Sequence, residues 1–213
     1  MLCYKFENSE KEWLVAVWKI TETIEELSSL VADEALLRYA YNNFKGERLR
    51  EWLATRALLK VLLGCSAAIE YDSSGKPFVN SGHYISISHT KGFVAIALSR
   101  SQEIGLDIEL ADRDSLAVCR RYMSCGELEQ LQSDDAQRVA LLSWLAKEAL
   151  FKIVGNVGGT FRDNIFVQPF VCADKGILQL SLKDIYSEEV NFVAEYFSFN
   201  SLILLVCRPV SAC

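Results

Sequence analysis

The sequence predicts an α+β fold made of two similar halves related by pseudo-twofold symmetry, and three observations support it. Residues 1–101 give helices followed by short strands, whereas residues 102–213 give a strand, then helices, then further strands. Two segments with strong helical periodicity, 47–63 and 136–154, each stop at a glycine. Halves of about 100 residues also match the usual size of a domain.

The first half begins with a strand and helices. Residues 13–20 are mostly apolar and predict a buried strand, and residues 21–43 have helical spacing that predicts two short helices. Thr21 is suited to cap the first of these helices. Further short strands are predicted at 77–79, 84–88 and 93–99.

Two groups of polar residues in this half suit an anion. In the helix 47–63, Arg48, Arg56 and Lys60 are four or eight positions apart and therefore share one face. Residues 86–92, Ser-Ile-Ser-His-Thr-Lys-Gly, offer hydroxyl, imidazole, ammonium and backbone N–H groups in one turn, which suits phosphate. A charged helix face is, however, also typical of a solvated surface.

The second half opens with residues 104–110, an apolar run that contains two carboxylates. Strand side chains alternate between faces, so Asp107 and Glu109 point the same way. Two like charges side by side repel unless a positive group lies between them, and a hard divalent cation with oxygen ligands fits that need. The alternative is an ordinary polar face turned to solvent.

The longest predicted helix, 136–154, carries a stripe of functional groups. Trp144, Glu148 and Lys152 follow at intervals of four, with Lys147 beside them. The alternative for Glu148 and Lys152 is a surface ion pair. Shorter helices are predicted at 116–122 and 125–132, and strands at 165–172, 176–182, 190–197 and 202–206.

Composition limits the class of protein. The formal net charge of −6 argues against a nucleic-acid binder. Seven cysteines without a Cys-x-x-Cys pair and only two histidines give little material for zinc and indicate reduced thiols in the cytoplasm. The N-terminus lacks the pattern of a signal peptide, and no apolar run is long enough to span a membrane.

Three motifs in a fixed order carry a resemblance. Ser-Ile-Ser-His-Thr at 86–90 is similar to Ile-Ser-His-Ser, and Ile-Gly-Leu-Asp-Ile-Glu at 104–109 is similar to Ile-Gly-Ile-Asp-Ile-Glu. Trp-Leu-Ala-Lys-Glu-Ala-Leu-Phe-Lys at 144–152 is similar to Trp-x-x-Lys-Glu-(Ser/Ala)-x-x-Lys, and a Gly-Lys-Pro turn lies at 75–77. Over residues 47–155 the chain therefore resembles the 4′-phosphopantetheinyl transferase superfamily, in its monomeric, surfactin-synthetase-activating type.

The resemblance implies a magnesium-dependent enzyme whose active site lies in a cleft between the halves. Coenzyme A would bind there, with contributions from residues 1–101. Residues 102–213 would supply the metal site and the catalytic helix. Magnesium would bridge the pyrophosphate of coenzyme A to Asp107, Glu109 and Glu148.

The implied reaction transfers the 4′-phosphopantetheine arm of coenzyme A to a serine of an apo acyl or peptidyl carrier protein and releases 3′,5′-ADP. The serine needs a proton acceptor, and Glu127 and Glu148 are both candidates. Lys152 would offset charge in the transition state. By the resemblance, the residues that bind coenzyme A are Arg56, Lys76, Ser88, His89, Lys147 and Lys152, with Lys60 as an addition on the Arg56 face.

The chain departs from the family pattern in two places. Residues 121–124 read Arg-Tyr-Met-Ser where Arg-Phe-Phe-Ser is more usual, and the ring lost at Met123 bears on the surface that docks the carrier. Ala149 replaces a common serine, which we expect to matter little.

Two other functions fit the same residues. One is a magnesium-dependent phosphohydrolase acting on a nucleotide-like diphosphate, and the other is a non-catalytic module that binds coenzyme A or a carrier. We expect a monomer, because two halves in one chain supply the interface that single-half relatives make by association.

Overall fold

A computed structural model of the chain describes residues 1–7, 12–64, 67–156, 158–183 and 189–210. The protein is a mixed α+β structure, which confirms the predicted fold class. It divides into two compact units, Met1–Ser101 and Gln102–Cys213. The pseudo-twofold relation stays a prediction, because the two units have sheets with different strand numbers and orders.

The sheets of the first unit are antiparallel. The strands of its described part are Leu2–Glu7 (β1), Trp13–Lys19 (β2), Ile69–Tyr71 (β3), Pro77–Val79 (β4), Tyr84–Thr90 (β5) and Phe93–Ser99 (β6). One sheet has the order β1-β2-β6-β5, and β3 pairs with β4 in a separate ribbon. Along β2, Val15, Ala16 and Val17 have no exposed surface, and the strand is paired on both edges in the sheet.

The helices of the first unit are Ile24–Val31 (α1), Glu34–Asn43 (α2) and Gly46–Leu63 (α3). The predicted division of residues 21–43 into two helices is confirmed. Thr23, rather than Thr21, caps α1 through a reciprocal pair of hydrogen bonds with Glu26. Ala32, in the left-handed conformation at φ 48°, ends α1.

Lys60 on α3 has a structural role. Its Nζ donates to the carbonyl oxygens of Leu30 and Val31, at 3.0 and 3.2 Å. These are carbonyl groups of the last turn of α1, which have no partner within that helix. The lysine therefore ties α3 to the end of α1. In this position its Nζ contacts carbonyl oxygens, whereas the sequence suggested that it binds coenzyme A with Arg56.

The second unit has one antiparallel sheet with the order β7-β11-β10-β9-β8. Its strands are Gly105–Leu110 (β7), Ile165–Val167 (β8), Lys175–Lys183 (β9), Glu189–Phe199 (β10) and Leu202–Pro209 (β11). Strand β8 is shorter than the predicted 165–172. Pro169 lacks an N–H group and cannot continue the hydrogen-bond ladder.

The second unit is built around one long helix. Its helices are Cys125–Leu128 (α4), Ala136–Val154 (α5) and Phe161–Asn164 (α6), with 3₁₀ turns at Leu116–Arg121 and Glu129–Gln132. Helix α5 has the predicted bounds and packs its apolar side, including Leu141, Leu145 and Ile153, against the sheet. The helix thereby fixes the position of the side chains on its other stripes.

The cysteines that the structure describes carry free thiols. They are Cys3, Cys119, Cys125, Cys172 and Cys207. Cys65 and Cys213 lie outside the described residues. Within the described ranges, no helix is long and apolar enough to cross a bilayer.

Candidate active site

Strand β7 and helix α5 together position the predicted acids. Asp107 and Glu109 leave the same face of β7 as Gly105, because they are two and four positions further along the strand. That face lies against α5, where the backbone of Ala149 meets Gly105. Asp107 is only 6% exposed, which excludes the interpretation of a polar face turned to solvent.

Gly105 sets how closely β7 approaches α5, and this gives a first prediction. A Cβ at position 105 would overlap the carbonyl oxygen of Ala149. We expect Gly105→Ala to separate the strand from the helix and to lower the free energy of unfolding by about 1–3 kcal/mol. Urea denaturation checks this, with Gly126→Ala as the control because a Cβ there meets no atom within 4 Å. An unfolding midpoint equal to that of the wild type would contradict the close contact.

Asp107 is held by Lys152 of α5. The Nζ of Lys152 donates to Oδ1 of Asp107 at 2.8 Å and to the carbonyl oxygen of Leu106 at 2.7 Å. The ion pair is largely shielded from water, since the side chain of Asp107 is 9% exposed and that of Lys152 is 27% exposed. The structure thus brings together two of the residues predicted for the reaction.

Glu148 lies within electrostatic reach of the same pair. Burial raises the pKa of the Glu148 carboxyl, and the negative charge of Asp107 raises it further. The positive charges of Lys152 and Arg113 partly oppose this rise in the pKa. The charge of Asp107 on β7 therefore acts on Glu148 of α5.

Glu109 has a different partner. Arg113, four positions later, forms an ion pair with Glu109. The guanidinium carbon of Arg113 also lies 5.2 Å from the ring centroid of Trp144, a cation–π contact. Because Arg113 also acts on Glu148, it links the third predicted acid to the group formed by Asp107 and Lys152.

The three acids offer the carboxylate oxygens that magnesium prefers as ligands. In the part of the chain that the structure describes, no three His, Cys, Asp or Glu side chains are grouped as a metal site. Lys152 and Arg113 instead neutralise the acids on β7. An all-oxygen donor set suits magnesium. Asp107, Glu109 and Glu148 could therefore hold the ion after exchanging these cationic partners.

Lys147 and Glu127 form a separate, buried ion pair. Lys147 has no exposed side-chain surface, and its Nζ lies 2.8 Å from Oε2 of Glu127. The same Nζ donates to the carbonyl oxygens of Tyr122 and Ile165 at 2.7 and 2.6 Å. Burial lowers the pKa of Lys147, and the Glu127 carboxylate opposes this change in the pKa.

Glu127 makes further hydrogen bonds. Its carboxylate also accepts the backbone N–H groups of Ser124 and Val167, at 2.6 and 2.9 Å. Lys147 and both carboxylate oxygens of Glu127 are thus engaged in buried bonds within this unit. In the structure both residues join α4, α5 and β8. The resemblance implied instead that Lys147 binds coenzyme A and that Glu127 is a candidate proton acceptor.

The departure at Met123 also has a structural explanation. Met123 is fully buried and packs in a small core with Cys119, Tyr122, Val139 and Ala140. The Tyr122 hydroxyl donates to the carbonyl oxygens of Ser115 and Ala140, so the tyrosine is a core residue too. Met123 therefore replaces an aromatic ring inside the protein, and its own side chain is not part of an exposed surface.

In the first unit, the predicted His89 lies beside Arg48 of α3. The Nη1 of Arg48 is 2.7 Å from Nε2 of His89. Glu51 is near both groups, with its Oε2 at 3.5 Å from Arg48 and 3.9 Å from His89. The structure thus joins α3 to β5 through polar side chains.

Arg56 lies one turn beyond Trp52 on the same stripe of α3. Its guanidinium carbon is 3.7 Å from the Trp52 ring centroid, and its Nη2 donates to the Tyr71 hydroxyl at 3.4 Å. Burial lowers the pKa of Arg56, and the positive charge of Arg48 contributes in the same direction. Two arginines on one face of a helix favour the binding of an anion.

Ser88 and Lys76 lie in two different parts of the first unit. Strand β5 continues to Thr90, so Ser88 is a buried strand residue and the turn shrinks to Lys91 and Gly92. Lys76 follows a tight turn in which Oδ1 of Asp72 accepts its backbone N–H at 2.9 Å. The predicted turn at 86–92 is therefore wrong in extent.

Two arginines that contact predicted site residues were not themselves predicted to be functional: Arg48 contacts His89 and Arg113 contacts Glu109. Arg48 was recognised as part of a cationic face but was not assigned to the site, although its spacing from Arg56 was the available signal. Arg113 gave a weaker signal, as a basic residue four positions after Glu109.

Part of the sequence is similar to a known protein family. Residues 103–207, which contain β7 and α5, match the family model of the 4′-phosphopantetheinyl transferase superfamily. The motifs at 104–109 and 144–152 lie inside this segment, which is therefore similar to that superfamily. The surfactin-synthetase-activating subtype stays a prediction.

Individual relatives have the same description. The chain is 27% identical over 163 residues to the 4′-phosphopantetheinyl transferase HetI of Nostoc sp. strain PCC 7120, covering 68% of each protein. It is 30% identical over 115 residues to the 4′-phosphopantetheinyl transferase AcpT of Salmonella typhi and 31% identical to AcpT of Salmonella typhimurium. Each AcpT alignment covers 51% of this chain and 60% of the relative.

Proposed function

We propose that this protein transfers the 4′-phosphopantetheine arm of coenzyme A to a serine of an apo acyl or peptidyl carrier protein. The observation that carries the proposal is the contact of Lys152 with Asp107 beside Glu148, within the segment that matches the transferase superfamily. Buried acids next to a lysine suit a diphosphate that has bound a divalent cation.

In this reaction the serine oxygen forms a bond to the β-phosphorus of coenzyme A. The bond from that phosphorus to the bridging oxygen breaks, and 3′,5′-ADP leaves with the electron pair. Lys152 donates to the diphosphate oxygens and offsets their growing negative charge. Asp107, Glu109 and Glu148 would hold magnesium, which would supply Lewis-acid stabilisation of the pyrophosphate.

Glu148 is the proposed acceptor of the serine proton. A raised carboxyl pKa makes the group a better base once it is ionised, and burial together with Asp107 raises the pKa of Glu148. Glu127, the other candidate, is engaged by Lys147 and two backbone N–H groups. These bonds of Glu127 leave Glu148 as our proposed base.

The cations of the first unit are proposed to bind the 3′-phosphate of coenzyme A. Arg56 and His89 supply donors on α3 and β5, and Lys76 and Ser88 are carried over from the family motif. The cation–π contact with Trp52 orients the Arg56 guanidinium before the ligand arrives.

Mass spectrometry of an apo carrier protein tests this proposal. After incubation with this protein, coenzyme A and magnesium, we expect the carrier to gain one phosphopantetheine arm per reactive serine. We expect no gain when EDTA removes the metal or when the carrier serine is replaced by alanine. Release of phosphate or AMP without a change in the carrier would instead favour a phosphohydrolase. Binding of coenzyme A and carrier without turnover would favour a binding module.

A monomer is proposed for the active form, since one chain supplies both α+β units. Sedimentation at assay concentrations gives the oligomeric state, and an obligate dimer or trimer would contradict this part of the proposal.

A further inference from the structure

The contact between Arg48 and His89 fixes which ring nitrogen of the histidine carries a proton. Arg48 Nη1 is 2.7 Å from His89 Nε2. A guanidinium has only N–H donors and cannot accept a hydrogen bond. His89 Nε2 must therefore be the acceptor, and the proton of the neutral imidazole must be on Nδ1.

We propose that Arg48 is a positioning residue that holds His89 in the Nδ1–H tautomer, so that Nδ1 donates to the 3′-phosphate of coenzyme A. This inference rests on the proposed function. Within the described part of the chain, Nδ1 of His89 makes no hydrogen bond, so that donor is free for a ligand.

Glu51 is the competitor that makes Arg48 necessary. Its Oε2 lies 3.9 Å from His89 Nε2 and is an acceptor only. Without Arg48, the neutral imidazole would carry its proton on Nε2, where the proton faces this carboxylate. Nδ1 would then be the unprotonated nitrogen. A phosphate oxygen facing an unprotonated Nδ1 would meet repulsion between lone pairs instead of a hydrogen bond.

The surroundings of Arg48 add to its effect on an anion. Its charge acts on Arg56, whose guanidinium is stacked over Trp52 on the next turns of α3. Glu51 is the nearby opposing charge, and Arg48 engages it at 3.5 Å. Arg48 therefore both sets the histidine tautomer and reduces the negative field of Glu51 near the proposed phosphate site.

Nitrogen-15 NMR of the imidazoles tests the tautomer directly. The chain has two histidines, so a His83→Gln variant assigns the remaining signals to His89. We expect the wild type and Arg48→Lys to give the Nδ1–H pattern, because lysine is also a donor without acceptor groups. Arg48→Met should give the Nε2–H pattern. An Nε2–H pattern in the wild type, or no change in Arg48→Met, would overturn the inference.

Calorimetry with two nucleotides measures the consequence for binding. We expect the wild type to bind 3′,5′-ADP more tightly than 5′-AMP, and Arg48→Met to weaken 3′,5′-ADP binding about tenfold, the equivalent of one charge-assisted hydrogen bond. Arg48→Lys should recover most of this affinity, and 5′-AMP should bind all three proteins equally. A wild type without preference for 3′,5′-ADP would contradict the proposed function. A wild type with that preference but an unaffected Arg48→Met would contradict only the role of Arg48.

Discussion

Replacing Asp107 by asparagine is expected to reduce transfer to the carrier on the order of 10²–10³-fold, because the substitution removes one charge from the proposed magnesium site. Asparagine keeps the size of the side chain and can still accept the hydrogen bond from Lys152. The fold should therefore survive while the reaction is lost. Glu148→Gln should have a loss of the same order, since it removes both a proposed metal ligand and the proposed base. The rate of phosphopantetheine transfer, followed by mass spectrometry, checks both variants.

Asp112 provides the matched control for this experiment. It lies in the exposed turn after β7, three positions beyond Glu109, and is not part of the proposed site. Asp112→Asn should transfer at the wild-type rate and need the same magnesium concentration. If Asp107→Asn and Glu148→Gln were as active as Asp112→Asn, the assignment of the metal site would be wrong.

Replacing Lys147 by methionine is expected to lower the free energy of unfolding by about 3–5 kcal/mol, because it leaves the Glu127 carboxylate buried without its partner. The change also removes the donor from the carbonyl oxygens of Tyr122 and Ile165. Urea denaturation followed by circular dichroism gives the size of the effect. Lys175→Met is the control, since this lysine is exposed at the start of β9 and should alter stability by less than about 0.5 kcal/mol.

A second substitution separates the ion pair from packing. The double variant Lys147→Met, Glu127→Gln removes the uncompensated charge but keeps an oxygen for the N–H groups of Ser124 and Val167. We expect it to be more stable than Lys147→Met alone. A Lys147→Met protein as stable as Lys175→Met would show that the buried pair does not hold this part of the fold.

The sequence was most informative where local pattern and tertiary packing agree. Strand β7 and helix α5 were predicted closely, because each combines a clear apolar period with a glycine at its boundary. The proximity of Asp107, Glu148 and Lys152 then followed from the motifs, and the structure places Lys152 in contact with Asp107. In both cases the information lies within short segments of chain.

The sequence was least informative where a side chain's surroundings come from distant segments. Lys147 and Glu127 were assigned to the reaction by resemblance, and their burial depends on how α4, α5 and β8 pack. Met123 looked like part of a docking surface for the same reason. The contact of Arg48 with His89 joins residues 41 positions apart. Edge strand β1 was missed because its partly exposed residues lack a strong apolar signal.

The buried bonds of Lys147 also determine the angular setting of α5 about its own axis. Successive residues of an α-helix are about 100° apart, so Glu148 and Lys152 project about 100° and 140° away from Lys147. With Nζ fastened to Glu127 and to carbonyl oxygens on other segments, the helix cannot turn without breaking those bonds. Replacing Lys147 should therefore allow α5 to rotate about its axis and displace Glu148 and Lys152, even though Lys147 itself contacts no reacting group.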